Sequence, residues 1–320
     1  GWPSPSEFNG LAPSPWKRVY LEKHINELLE SYHASPSELS NVNLSRLLQS
    51  IKCAAPFIRC IKLNQLPSHL DLSQILPLFP NLSCLDITYK TLNIGMNYKE
   101  EDFGMNLNDA LNISKYLHHS TKSLTSLILS ESLIDDETIH ILMAGLQQNK
   151  SILSLDLSLN KISDVGARRL SQYMAATNIL RRLNLSSNQI NDDGVQYIAS
   201  KLHSSRLEAL DLSLNNIDDK GAEHLFEAIS KNTTLQNVNI SCNRITDESF
   251  GAFIKCLQVN KSLRCLNVSG NQLIPSSSGS AAQSSTSSRP QSRAGAVSVD
   301  SKAQEAVEDK IQTARKQYFK

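Results

Sequence analysis

Six cysteines, eight histidines and a recurring Asp/Asn-x-Ser pattern are the residues of this 320-residue chain with chemistry to offer. The cysteines (Cys53, Cys60, Cys84, Cys242, Cys256 and Cys265) are scattered and form no C-x-x-C pair. That spacing suggests neither a disulfide framework nor a zinc ribbon. Reduced, mostly buried thiols in an intracellular protein are expected instead. His118 and His119 are adjacent, and neighbours on a helix diverge by about 100°, so they cannot easily share a metal. Phosphate-loop, dinucleotide, zincin and nucleophile-elbow patterns do not occur. The sequence therefore reads as non-enzymatic, without catalytic residues, cofactor or metal.

The Asp/Asn-x-Ser pattern offers hydrogen bonding. Its first column is Ile128, Asp156, Asn184, Asp211, Asn239 and Asn267; two places on comes Ser130, Ser158, Ser186, Ser213, Ser241 and Ser269. One reading is structural: a small residue where a strand turns, with its hydroxyl bonding backbone. The other is a flat polar strip for an extended peptide or a helix. Asp156, Ser158, Asn184, Ser186, Asp211, Ser213, Asn239 and Asn267 are its candidate contacts. Arg181, Arg182 and Arg264 flank the strip, so it is not a face of one sign.

These columns recur because the chain repeats. LTSLILSESLI begins at Leu124, ILSLDLSLNKI at Ile152, LRRLNLSSNQI at Leu180, LEALDLSLNNI at Leu207, LQNVNISCNRI at Leu235 and LRCLNVSGNQL at Leu263. Successive starts are 28, 28, 27, 28 and 28 residues apart, and each segment fits the L-x-x-L-x-L-x-x-N-x-L pattern of leucine-rich repeats. Alternating apolar positions give a strand with one inward face. The ninth-position Asn (Asn160, Asn188, Asn215, Asn243, Asn271) is expected to ladder from turn to turn, more weakly where Ser132 replaces it. Asp136, Asp164, Asp192, Asp219 and Asp247 each precede a helix-period segment and are expected as N-caps. Apolar stripes such as Ala167, Leu170 and Met174 follow. The fold class expected is an α/β solenoid, a leucine-rich-repeat horseshoe with parallel strands on the concave side and helices on the convex side.

The domain map follows. Residues 1–13 read as disordered, and 14–54 as a helical N-terminal cap with helices at Trp16–Tyr32 and Leu39–Lys52. Residues 55–123 read as divergent repeats around Ile58, Ile61, Leu63 and Leu82, Leu85, Ile87, with a loop inserted near 94–106. The regular repeats occupy 124–274. A Ser-rich disordered linker spans 275–299, and 300–320 reads as an amphipathic helix. Starting at Gly1, the chain reads as a fragment or processed product, with no secretory signal. It has 32 basic against 31 acidic side chains, a net charge of +1. That balance argues against nucleic acid as a partner. No apolar run nears the ~18 residues of a membrane span, and no small-molecule substrate is indicated.

The copies of LDLSLNKISDVGARRL resemble the ribonuclease-inhibitor class of repeats, shared by inhibitors, Ran GTPase activators, tropomodulin-like domains and immune receptors. WKRVYLEKHINELLE, then LPSHLDLSQILPLFPNLSCLDITY, then GMN at Gly95, Met96 and Asn97, are similar to the T-complex-associated testis-expressed protein 1 family. That family is subunit 5 of the nexin–dynein regulatory complex. The resemblance implies a scaffold subunit of the axoneme that helps regulate dynein-driven ciliary, flagellar and sperm motility. It implies a place in the cytoplasm and cytoskeleton of the cilium, with other complex subunits, including coiled-coil ones, as partners. It also marks Gly95, Met96 and Asn97 as candidate contacts. The alternatives are a Ran-type GTPase activator or a generic cytosolic protein-binding module. Ran activators resemble this chain in their repeats but end in a strongly acidic tail, whereas residues 276–320 here carry a net charge of +3.

Overall fold

The computed structural model describes residues 15–31, 51–52, 54–64, 71–89, 104–119 and 123–272. The expected disordered start, most of the Leu39–Lys52 helix, most of the 94–106 insertion, the Ser-rich linker and the 300–320 helix lie outside them.

Among the described residues, eight short strands form one parallel sheet in strict chain order. They are β1 (Cys60–Leu63), β2 (Cys84–Ile87), β3 (Ser126–Ile128), β4 (Ser154–Asp156), β5 (Arg182–Asn184), β6 (Ala209–Asp211), β7 (Asn237–Asn239) and β8 (Cys265–Asn267). The helices between them are short α2 (Leu72–Ile75), α3 (Leu107–His119), α4 (Asp136–Gln148), α5 (Asp164–Thr177), α6 (Asp192–Leu202), α7 (Asp219–Lys231) and α8 (Phe250–Val259). α1 (Pro15–Ser31) precedes the sheet. Strand followed by helix at a constant period is the expected solenoid.

A parallel sheet usually has both faces covered. Here the helices cover one, so every strand except β8 sets a buried residue between more exposed ones; β4 and β6 both read half-buried, buried, half-buried. Leu127, Leu155, Leu183, Leu210 and Val238 run as one column into the core. The helix stripes meet them: Ala167, Leu170 and Met174, and likewise Ala222, Leu225 and Ile229, are buried. Of the α8 stripe Phe250, Phe253 and Leu257, only Phe253 is buried, while Phe250 and Leu257 pack partly exposed against the core. Ile58, Ile61, Leu63, Leu82, Leu85 and Ile87 are buried as the two looser repeats require.

The Asn ladder is present. Asn188 Nδ2 donates to the carbonyls of Leu157 at 3.0 Å and Leu185 at 3.0 Å, and its Oδ1 accepts from the Ile162 N–H at 3.0 Å. Ser132 keeps a shortened rung, its hydroxyl bridging the Tyr89 N–H and the Ser130 carbonyl.

The Asp column stands one residue away from its expected role. The N-caps are Asp135, Ser163, Asn191, Asp218 and Thr246; Asp136, Asp164, Asp192 and Asp219 are the first residues of their helices. Each carboxylate reaches forward to the next repeat. Asp164 Oδ1 accepts from the N–H groups of Asn191 at 2.7 Å and Gly194 at 3.0 Å; Asp219 Oδ1 accepts from Thr246 at 2.9 Å and Ser249 at 3.2 Å. A carboxylate inside one helix thus satisfies the orphan donors of the next. It forms a second ladder on the helix side of the sheet.

The cap helix does more than cover apolar surface. Leu21, Ile25 and Leu29 are buried. On an adjoining face, Glu22 Oε1 accepts from the N–H groups of Arg59 at 3.0 Å and Cys60 at 3.2 Å. Asn26 Oδ1 accepts from Lys62 at 3.2 Å, and Glu30 Oε1 from Asn64 at 2.6 Å. Spacing of four residues puts all three on one helical face. They pair the row of donors that an edge strand would otherwise leave open.

Candidate protein-binding face

The open face of the sheet carries two columns, one on each side of the buried central position. The second column is Lys62, Asp86, Ile128, Asp156, Asn184, Asp211, Asn239 and Asn267, as the strand registers place them. The first is Cys60, Cys84, Ser126, Ser154, Arg182, Ala209, Asn237 and Cys265. The repeat motif fixes only the leucines and the Asn, so the first column is visible in sequence solely as the second x of L-x-x-L. The sequence reading did not single it out. Arg182, Asn237 and Cys265 in it are exposed.

Between β4 and β8 the two columns border a shallow cavity of about 470 Å³, with Asp156, Arg182, Asn184, Ala209 and Asn237 in its lining. The acidic residues there are already organised. Asp156 Oδ1 accepts from the Ser158 N–H at 2.9 Å and its hydroxyl at 2.7 Å, and Asp156 Oδ2 from Asn184 Nδ2 at 2.9 Å. Two repeats on, Asp211 is held identically by Ser213, at 2.9 and 2.6 Å, and by Asn239 at 2.9 Å. Each carboxylate is therefore fixed in place and presents its remaining lone pairs to the groove. Such preorganisation suits polar recognition.

The expected contacts separate on this geometry. Asp156, Asn184, Asp211, Asn239 and Asn267 are half-buried and face the groove. Ser158 and Ser213 are buried and brace the carboxylates from behind, while Ser186 is half-buried, its N–H bound to Asn184 Oδ1 at 3.0 Å. Gly95, Met96 and Asn97 lie outside the described residues. Arg182 faces the groove; Arg181 pairs instead with Glu208 at 3.0 Å.

The turns that follow the strands add exposed apolar surface. The residue after each repeat Ser adopts the left-handed conformation, and at Leu159 and Leu214 a leucine does so, at φ 57° and 56°. Their N–H groups donate to the carbonyls of Ser186 and Ser241, at 2.9 Å each. A non-glycine residue there costs about 1 kcal/mol. Both leucines are also more than half exposed, at 53 % and 55 %. Both stand in the repeats that carry the aspartates.

The cysteines differ from expectation. Among the described residues only Cys256 is buried; Cys60 and Cys84 are half-buried, and Cys242 and Cys265 are exposed. The strand cysteines sit at x positions, whose side chains leave the core. Among the described residues, no cluster of three or more potential ligands could hold a metal, and no helix is long and apolar enough to cross a membrane.

Sheet, ladders and period define a leucine-rich-repeat solenoid. The family model described as "Leucine Rich repeat" matches residues 148–171, 178–199, 203–226, 231–252 and 259–277. Over 127 residues the chain is 35 % identical to dynein regulatory complex subunit 5 of Chlamydomonas reinhardtii. That match covers 39 % of this chain and spans 31 % of the relative's length. Among solved structures, leiomodin-1 actin-binding site 2 is 19 % identical, with a TM-score of 0.41 over 48 % of this chain and 86 % of that one. The tropomodulin C-terminal domain of Caenorhabditis elegans is 20 % identical, with a TM-score of 0.39 over 47 % of this chain and 90 % of that one.

Proposed function

We propose that this protein is a non-enzymatic scaffold subunit of the axonemal dynein regulatory complex of cilia and flagella, binding other subunits of that complex through its concave face. The similarity to the Chlamydomonas subunit carries the reading. The geometry supplies the mechanism. A rigid parallel sheet, laddered on both sides by Asn and Asp, holds a groove whose polar groups need no rearrangement on binding. Arg182 supplies a cation between the two fixed carboxylates Asp156 and Asp211. Leu159 and Leu214 offer apolar contacts beside them. Partner helices, coiled coils included, would dock on this face. The loop carrying Gly95, Met96 and Asn97 would make a further contact.

Fractionation of ciliated cells, with mass spectrometry of the detergent-resistant axoneme, tests the reading. Co-enrichment with the other regulatory-complex subunits, and loss from axonemes that lack the complex, is expected. Recovery in the soluble fraction alone overturns it. The face is tested separately by Arg182→Glu with Leu214→Asn. Asparagine tolerates the left-handed conformation, so folding should be unchanged while retention on axonemes falls.

A further inference from the structure

Cys60 and Cys84 hold the first positions of β1 and β2 and are direct partners across the parallel ladder. Neighbouring strands run about 4.8 Å apart, and a disulfide needs Cα atoms about 4.4–6.8 Å apart. Partners in register share one side of the pleat, so both side chains leave the sheet on its open face. The two thiols stand side by side on adjacent strands, and both are half-buried. Around them stand Glu22 from α1, Lys62 from β1, Asp86 from β2 and Ser126 from β3.

These surroundings make the two thiols unequal. The neighbouring Cys60 thiol, then the Ser126 hydroxyl and the charge of Lys62, outweigh burial and Asp86 and bring the Cys84 thiol down to about 7. The same contact, burial, and the charges of Cys84, Glu22 and Asp86 push the Cys60 thiol up. The thiol of lower pKa holds more thiolate at neutral pH and attacks first; the thiol beside it is placed to resolve the mixed disulfide.

The geometry points to Cys60 and Cys84 as a thiol–disulfide exchange site whose substrate is a small-molecule disulfide of the glutathione class. The Cys84 thiolate attacks one sulfur of the substrate. Its S–S bond breaks, a mixed disulfide forms on Cys84, and the departing thiolate takes a proton from water. Cys60 then yields its proton to solvent and attacks the Cys84 sulfur, releasing the second half of the substrate as thiolate. One protein dithiol is oxidised and one substrate disulfide is reduced to two thiols. The new bond ties the first two strands in the register they already hold.

The test equilibrates the full chain with graded ratios of reduced to oxidised glutathione, quenches by alkylation under denaturing conditions, and maps peptides by mass spectrometry. A Cys60–Cys84 linked peptide that forms and disappears reversibly with the ratio is expected. The C60S variant should accumulate glutathione on Cys84, and neither C60S nor C84S should give a linked peptide. Absence of the linked peptide from the unmodified chain at every ratio overturns the inference. So does glutathione found on the exposed Cys242 or Cys265 but never on Cys84. The first outcome needs no variant, so misfolding of a substitution leaves the proposal open to refutation.

Discussion

At the scale of single residues, the same amino acid serves two faces of the fold through its neighbours. Asp156 organises the groove, whereas Asp164 satisfies the start of the next helix. Gly194 shows how tightly that second role is built. A Cβ there would stand 2.5 Å from Asp164 Oδ1 and 2.7 Å from Ile190 Cγ2. Within a helix, Gly→Ala ordinarily gains up to about 1 kcal/mol. Here the sign should invert: Gly194→Ala must displace the carboxylate and lose its bonds, a destabilisation of about 1–3 kcal/mol by urea unfolding. Asp219 gives the column its pH signature. Burial pushes its carboxyl up, but the hydrogen bonds from Thr246 and Ser249 outweigh that and hold it below the usual carboxylate value. A depressed folded pKa contributes stability above the unfolded value, which is lost as pH falls through the folded one. Asp219→Asn should therefore cost about 1 kcal/mol at neutral pH, and the gap to the unmodified chain should close below about pH 4. An acid-unfolding series on both chains reads that closure.

Among the elements, α1 carries a role its apolar stripe does not reveal. Glu22, Asn26 and Glu30 cover the donor edge of β1. The three side chains accept four bonds, each worth about 1 kcal/mol, so alanine at all three positions should weaken the first repeats by about 4 kcal/mol. Hydrogen exchange should quicken at the amides of Arg59, Cys60, Lys62 and Asn64, leaving β5 to β7 protected. Uniform loss across the sheet would mean that the helix acts through its core contacts alone. At the start of α3, Asn106 and Asp109 form a reciprocal cap, each side chain accepting from the other's N–H, at 2.8 and 3.1 Å. That cap holds the first turn of α3 in place.

For the whole molecule, stability passes from neighbour to neighbour, because each repeat touches chiefly those beside it. A central rung is the point of greatest leverage. Asn188→Ala leaves the carbonyls of Leu157 and Leu185 and the Ile162 N–H unpaired in a buried turn. The expected cost is about 3 kcal/mol or more. Unfolding should then split into two transitions, detected when hydrogen exchange separates the repeats before Leu180 from those after Leu207. A single unbroken transition would show that the Asp ladder alone couples the halves. The groove depends on the same rigidity, since its residues come from five strands and keep their spacing only while the ladders hold.

The sequence by itself determined the solenoid, because a leucine column, an Asn and a constant period each repeat along the chain and each has one way to be satisfied. It also determined which residues line the second column of the open face, from Ile128 to Asn267, since alternation in a strand is local geometry. Tertiary structure alone decided the rest. Whether Asp164 caps its own helix or the next depends on how far one repeat is displaced from its neighbour, a distance absent from any single unit. Whether Ser158 contacts a partner or braces Asp156 depends on burial behind the turn. Cys60 and Cys84 are 24 positions apart and meet because β1 and β2 pair in one register; the forces that fix that register act on Ile61, Leu85 and the helices behind them, not on the cysteines.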